Sequence, residues 1–238
     1  MELKQATLLI VDDEPNLCEI ILGWFEKEGS RVLSAENGFS ALELLQKQEV
    51  NAIVTDIRMP GMDGTELVRR SKALGKYTPA AVSISGFSDI TPREAYDLGI
   101  EAQLSKPVGR KALVSAVRNS LMDREQLWAG PFRPTTLPTL KVQFESFGSA
   151  LKSRKILFGH GGFCIATKVF FPEASSIGFE LDFAGEKQMV SLQGVVRWSA
   201  PGEQLAGVEI TRVGDPSRSW VAELARSNRT GSFIPRSI

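Results

Sequence analysis

The sequence predicts two joined folds: an α/β domain built on a five-stranded, parallel, doubly wound sheet, then a small antiparallel β-barrel with a C-terminal helix. Three observations carry this. Short apolar runs near residues 8–11, 31–35, 52–54, 80–84 and 103–105 alternate with stretches of helical periodicity, the pattern of βα units. Four of those runs end on Asp12-Asp13, Asp56, Ser85-Gly86 and Lys106-Pro107. Beyond a Pro-, Gly- and Thr-rich stretch at 128–139, closely spaced β-like segments replace the βα pattern. With 238 residues, 42% apolar and 24% charged, the chain is long enough to bury two cores. The boundaries expected are a first domain at 1–124, a linker at 125–139, the barrel at 140–230 and a flexible tail at 231–238.

Residues 8–11 are apolar without alternation, as in a strand buried on both faces. Pro15 suits a first helical turn, Leu17, Ile20, Ile21, Trp24 and Phe25 recur at helical spacing, and Gly29 ends that helix. Residues 31–35 form the second strand. Asn37-Gly38 turns the chain into a second helix carrying Ala41, Leu42, Leu44 and Leu45. The third strand ends at Asp56, where Pro60, Gly61 and Gly64 shape a loop. Leu67, Val68 and Leu74 line a third helix closed near Gly75. After the fourth strand, Thr91-Pro92-Arg93-Glu94 combines an N-cap, a first-turn proline and a capping-box glutamate. Gly99 ends that helix. The fifth strand precedes Lys106-Pro107, and a last helix runs from about Gly109 past Leu121 with Leu113 and Val117 on one face. Right-handed crossovers make such strands parallel, so the polar residues at their ends meet on one edge of the sheet.

Carboxylates gathered on one edge repel each other unless a cation sits among them. Mg²⁺ suits oxygen ligands and commonly joins one or two carboxylates to a phosphate. Such a cation neutralises an incoming phosphoryl group and aligns it for attack by a carboxylate, which yields an aspartyl-phosphate. Lys106 can pair with phosphoryl oxygens and the Ser85 hydroxyl can donate to another. Asp56 is therefore the expected phosphorylation site, equipped by Asp12, Asp13, Ser85 and Lys106.

Residues 5 to about 123 resemble a response-regulator receiver domain, CheY-like in kind. Asp12-Asp13, Asp56, Ser85-Gly86 and Lys106-Pro107 stand at that family's order and spacing, and Met59-Pro-Gly-Met-Asp-Gly64 matches its loop. The resemblance implies that Asp56 accepts phosphate from a sensor histidine kinase. It implies Mg²⁺ on Asp13 and Asp56 directly, on Asp12 through water, and on the Arg58 carbonyl. It assigns phosphoryl sensing to Ser85 and Lys106 and a cis peptide to Lys106–Pro107. One position departs: receivers usually carry an aromatic switch residue three places before the lysine, and here Gln103 stands there. Neither Tyr77 nor Phe87 replaces it.

The second half lacks helix-turn-helix, zinc-ligand and heptad patterns. Its β-like segments fall near 140–144, 155–158, 163–166, 177–183, 190–198 and 205–211, several alternating apolar and polar residues. Asp215-Pro216 is expected to cap a helix through Trp220, Val221 and Leu224. Gly161-Gly-Phe-Cys-Ile165, Ser176-Ile-Gly-Phe-Glu-Leu-Asp-Phe183, Gly194-Val-Val-Arg-Trp198 and Ala206-Gly-Val-Glu-Ile210 resemble a PilZ domain over about 140–228. That family binds cyclic di-GMP through an Arg-x-x-x-Arg tail and an Asp-x-Ser-x-x-Gly turn, in which guanidinia hold phosphates and guanines. Here the turn reads Leu157-Phe-Gly159-His-Gly-Gly162, and Arg133 and Lys141 make no arginine pair. No cyclic di-GMP site is expected. Lys152, Arg154 and Lys155 read as a solvated strand end, and His160 as a turn residue without metal-ligand company.

The function expected is that of a two-component response regulator whose atypical PilZ-like domain acts on an unknown protein target. Phosphorylation would shift receiver dimerisation or the coupling of the two domains. A phosphorylation-gated cyclic di-GMP effector is the alternative, with a transcription factor behind it. A formal net charge of zero gives no general pull toward nucleic acid. No apolar stretch approaches membrane-spanning length, so membrane insertion is not expected and the cytoplasm is the expected location. Cys18 and Cys164 read as buried free thiols. No nucleophile–base pair marks an independent enzyme.

Overall fold

Each strand of the first unit is followed by a helix that carries the chain back along one face of the sheet, so successive strands lie parallel. The computed structural model describes residues 1–74, 78–86, 89–131, 137–227 and 231–237, and the chain divides into two units, Met1–Met122 and Asp123–Ile238. Gly75, Tyr77, Phe87 and Arg133 lie outside the described residues, as does the side chain of Leu224. In the first unit β1 Thr7–Val11, β2 Arg31–Ala35, β3 Ala52–Asp56, β4 Ala80–Ser85 and β5 Ala102–Ser105 pair in the order β2-β1-β3-β4-β5. Their connections are α1 Pro15–Glu26, α2 Gly38–Lys47, α3 Gly64–Ala73 and α4 Pro92–Asp97, and α5 Arg110–Leu121 follows β5.

The uninterrupted apolar runs follow from cores on both faces. Leu8, Ile10, Ala52, Val54 and Val82 point to Cys18, Ile21 and Phe25 of α1 and Leu113 and Val117 of α5. Their neighbours Leu9, Val11 and Ile53 point the other way, to Ala41 and Leu67. Each Val, Leu, Ile or Phe among them, fully buried, contributes about 1.5–3 kcal/mol. Two residues of the expected stripes fall elsewhere: Ile20 and Leu74 are exposed. The Thr91–Glu94 capping box forms in both directions at the start of α4. Gly29 and Gly99 take the left-handed backbone that ends a helix, at φ +85° and +82°.

The second unit is assembled from α6 Arg124–Leu127, β6 Thr139–Phe144, α7 Phe147–Lys152, β7 Ile156–Phe158, β8 Gly162–Ala166, β9 Ser176–Phe183, β10 Gln188–Ala200, β11 Leu205–Val213 and α8 Arg218–Ser227. The strands pair in the order β6-β9-β10-β11-β8-β7. Four of the five pairs are antiparallel, but β6 runs parallel to β9. This corrects the expected closed antiparallel barrel to a curled, mixed sheet: α7, β7 and β8 intervene between β6 and β9 and bring the chain back in the same direction. Among the described residues β6 and β7 do not pair, so the sheet stays open.

Two boundaries are corrected as well. The expected linker begins inside the second unit, because α6 packs on α8 and the Trp128 indole is buried in the core with Phe163, Phe179 and Phe183. The expected tail is anchored: Phe233 and Ile234 are buried, and an added Cβ on Gly159 or Gly161 would collide with residues 232–233. Helix α8 starts two residues after Pro216, which stands in a cis peptide before the helix rather than in its first turn. No helix of the described residues is long and apolar enough to cross a membrane.

Candidate functional site

Asp12 follows β1, Asp56 closes β3, Ser85 closes β4 and Lys106 follows β5, so four strand ends deliver four polar side chains to one edge of the sheet. Strand order reverses between β1 and β3, the place where such open sheets leave a crevice. Lys106 Nζ reaches 2.9 Å from Asp56 Oδ2, 3.1 Å from Asp12 Oδ2 and 3.3 Å from Glu14 Oε1. Asp56 Oδ1 accepts from the Ile57 N–H at 2.7 Å and, more weakly, from that of Arg58 at 3.4 Å. The Asp56 carboxylate is thus fixed at one oxygen by backbone and at the other by an ammonium. Asp12 Oδ1 accepts from the Glu14 N–H at 2.9 Å.

The loop after β3 is shaped to let α3 close on Asp56. Gly64 N donates to Ile57 O at 3.0 Å, and an added Cβ there would collide with the Asp56 carbonyl oxygen. Asp63 caps α3 by accepting from the Glu66 N–H at 2.8 Å.

Electrostatics follow from burial. Asp12 and Asp56 are buried, whereas Asp13 is exposed. Burial, with the Asp56 charge adding to it, pushes the Asp12 carboxyl above its ordinary value despite the Glu14 N–H and Lys106. Burial alone would lower the Lys106 ammonium, but its hydrogen bond to Asp56 and the charges of Asp12 and Asp56 outweigh it and raise it. Burial, then the nearby Asp12 charge, pushes the Cys18 thiol up. Cys18 and Cys164 are both free and buried.

Oxygens of Asp12, Asp13 and Asp56 lie within 4.8 Å of one another. Asp12 Oδ2 is buried and receives no hydrogen bond; Lys106 approaches it only as an ion pair. Converging carboxylate oxygens with one such atom suit a hard, oxygen-preferring cation. This is an acidic pocket of the kind in which receiver domains bind Mg²⁺.

The family model described as "Response regulator receiver domain" matches residues 8–118. Response regulator receiver protein CpdR of Brucella abortus (strain 2308) is 32% identical over 116 residues, which cover 48% of this chain and 96% of the relative. The chain belongs to the response-regulator receiver family. Sporulation initiation phosphotransferase F of Bacillus subtilis (strain 168) is 30% identical over 115 residues, covering 48% of this chain and 92% of that protein. Transcriptional regulatory protein GlrR of Escherichia coli (strain K12) is 31% identical over 121 residues, 51% of this chain. The chain spans only 27% of the length of that relative. The matched receiver family model accounts for residues 8–118 of the chain.

Two residues of the receiver site, Glu14 and Asp89, escaped the sequence reading, and Gln103 was visible only as a departure. Glu14 completes the acidic ring around Lys106. Asp89 accepts from Gly86 N and pairs with Arg58 Nε at 3.0 Å, tying the segment after β4 to the residue two places beyond Asp56. Gln103 donates through Nε2 to Ile90 O at 3.0 Å and lies 3.5 Å from Ser85 Oγ. The position that departs from the family therefore holds a polar tether between β5, Ser85 and the segment before α4. Carboxylates and amides near a strand end are a usable signal, but their partners here include backbone atoms that no pattern displays.

In the second unit the described residues weighed for ligand binding divide between a buried histidine and exposed cations. His160 is buried with Nδ1 3.1 Å from Ser232 O, and its ring meets Phe233 edge-on. Lys152, Arg154 and Lys155 are exposed. Lys141 pairs with Glu180 at 2.8 Å.

Proposed function

We propose that the protein is a two-component response regulator that takes a phosphoryl group onto Asp56 from a sensor histidine kinase. The observation that carries this is the ion pair of Asp56 Oδ2 with Lys106 Nζ at 2.9 Å, inside the cluster with Asp12 and Asp13. In the transfer, an Asp56 carboxylate oxygen forms a bond to phosphorus as the phosphorus–nitrogen bond of the kinase phosphohistidine breaks. Mg²⁺ held by Asp12, Asp13, Asp56 and the Arg58 carbonyl would supply neutralisation of the phosphoryl charge. Lys106 would exchange its contact with Asp56 for one with a phosphoryl oxygen, and the Ser85 hydroxyl would donate to another. The chain modifies itself and is otherwise not an enzyme. A cytoplasmic location accords with partnership to a kinase domain.

The second unit is read as a divergent PilZ-like module acting through protein contacts. Its glycine-rich turn supports this: His160 N donates to Ser232 O and Gly161 N to Phe233 O, both at 3.1 Å. The turn that would hold a nucleotide is thus occupied by the chain's own residues. Calorimetric titration with cyclic di-GMP should give no heat of binding; micromolar affinity would overturn this part of the reading.

The receiver part is tested by mass. Incubation with Mg²⁺ and acetyl phosphate should add one phosphoryl group, and Asp56→Asn should abolish the addition. An unmodified wild-type chain with both that donor and a histidine kinase would sink the proposal.

A further inference from the structure

Among the described residues the curled sheet of the second unit ends on two edge strands, β6 and β7, and α7 contacts both. A groove of about 710 Å³ opens along β6, lined by residues 140–145 and Ala184 and by Lys155 and residues 165–168. The hydrogen-bond polarity of β6 follows from its register. Gly178 N donates to Pro138 O at 2.9 Å while Thr139 sits opposite Gly178. In a parallel ladder, the even-numbered residues of β6 then bond to β9, and Thr139, Lys141 and Gln143 turn their N–H and C=O groups outward. Among the described residues nothing takes those groups.

The side chains around this edge are equally specific. Leu140 and Val142 face the core but are only half-buried, and Ile165 lies across the groove from them. The lining carries three lysines against one glutamate. Lys155 and Lys168 are exposed and have no ion pair among the described residues, whereas Lys141 is already paired with Glu180.

We propose that this groove is a docking slot for an extended, acidic segment of a partner protein, which adds to the sheet as a strand on β6. Backbone groups of the partner would pair with those of Thr139, Lys141 and Gln143, giving affinity. Alternate apolar side chains would cover Leu140 and Val142, and the intervening carboxylates would face Lys155 and Lys168. At about 3.3 Å per residue, six residues of partner match the length of β6. The slot rests on the reading that the second unit acts through protein contacts, and it supplies the chemistry of the partner.

The probe is a fluorescein-labelled eight-residue peptide of alternating Val and Glu, titrated against the full chain by fluorescence anisotropy. It should bind at least ten-fold more tightly than the same peptide with Lys in place of Glu. Gln143→Pro removes one outward N–H while sparing the ladder to β9, and should weaken binding at least ten-fold. Lys155→Glu with Lys168→Glu should reverse the preference toward the lysine peptide. N-methylation of alternate peptide bonds removes donors from the probe alone, and should abolish binding even if Gln143→Pro does not fold. Equal binding of the acidic and basic peptides, or indifference to N-methylation, would overturn the slot. A partner protein retained equally by the wild-type chain and folded Gln143→Pro would overturn the slot while leaving the protein-contact reading in place.

Discussion

In the receiver, Asp12, Asp56, Ser85 and Lys106 sit at the ends of strands whose interiors are apolar; in the second unit, the turn from β7 to β8 carries Gly159 and Gly161 against Phe233, and Gly162 opens β8 against Val208. The first arrangement gathers buried charge and depends on the cation Lys106 to hold it together. The second gathers apolar surface and removes side chains so that backbone and rings can approach. One unit keeps its chemistry in polar groups that burial makes costly, the other in shape. A single substitution should therefore silence the receiver with little loss of fold, while substitutions in the second unit should register first as stability.

Phe233→Ala is the largest expected effect. The ring is fully buried, meets His160 edge-on with centroids 5.1 Å apart, and lies under the Arg124 guanidinium at 5.2 Å. Truncating such a side chain costs about 3–5 kcal/mol. Chemical unfolding should show the loss in the second unit alone, with acetyl-phosphate labelling of Asp56 unchanged in amount. Equal destabilisation of both units would break the contrast drawn between them.

Cation binding should produce the next largest effect, in the receiver. Added Mg²⁺ at one hundred times its Kd should stabilise the unit by about 2.7 kcal/mol, read as a rise in melting temperature. The pH dependence has a definite sign. The Asp12 carboxyl is held above its ordinary value of 3.8, so the folded receiver binds that proton more tightly than the unfolded chain. Its ionisation therefore costs stability as pH rises through and beyond that value, and the metal recovers the cost by favouring the ionised form. The Mg²⁺-induced rise should be full above the raised value of Asp12 and should fade as pH drops through it. Asp12→Asn should remove most of it. A rise independent of pH would place the cation elsewhere.

How much of this was legible differs between the units for the same reason. Asp56 alone would read as an Asp that starts a turn, and it became legible because polar residues stand at three other strand ends, Asp12, Ser85 and Lys106. Gln103 was visible as a departure, but its partner is the Ile90 carbonyl, and backbone acceptors leave no mark in a sequence. Trp128 stands in a Pro-, Gly- and Thr-rich stretch whose composition suggests a linker, although one indole buries enough surface to dock the segment. Phe233 and Ile234 form too short an apolar pair to show periodicity, and only the collision at Gly161 reveals what they fill. The parallel pairing of β6 was out of reach, since strand direction depends on the elements between β6 and β9 and not on either strand.

The smallest effect compares one helix cap from each unit. Asp63 caps α3 and Ser146 caps α7, each accepting from the N–H three residues on, at 2.8 and 3.1 Å. Replacing either with Ala should cost about 1 kcal/mol near neutral pH. Only the Asp63 loss should depend on pH. Burial alone would raise its carboxyl, but hydrogen bonds from the Glu66 N–H and the Thr65 hydroxyl outweigh that and hold it below its ordinary value. The ionised cap therefore stabilises α3 above that ordinary value, and the contribution is lost as pH falls through the depressed one. The cost of Asp63→Ala should shrink in acid while that of Ser146→Ala stays constant, measured by paired unfolding titrations across acidic pH. If both costs were flat with pH, Asp63 would cap by geometry alone, as Ser146 does.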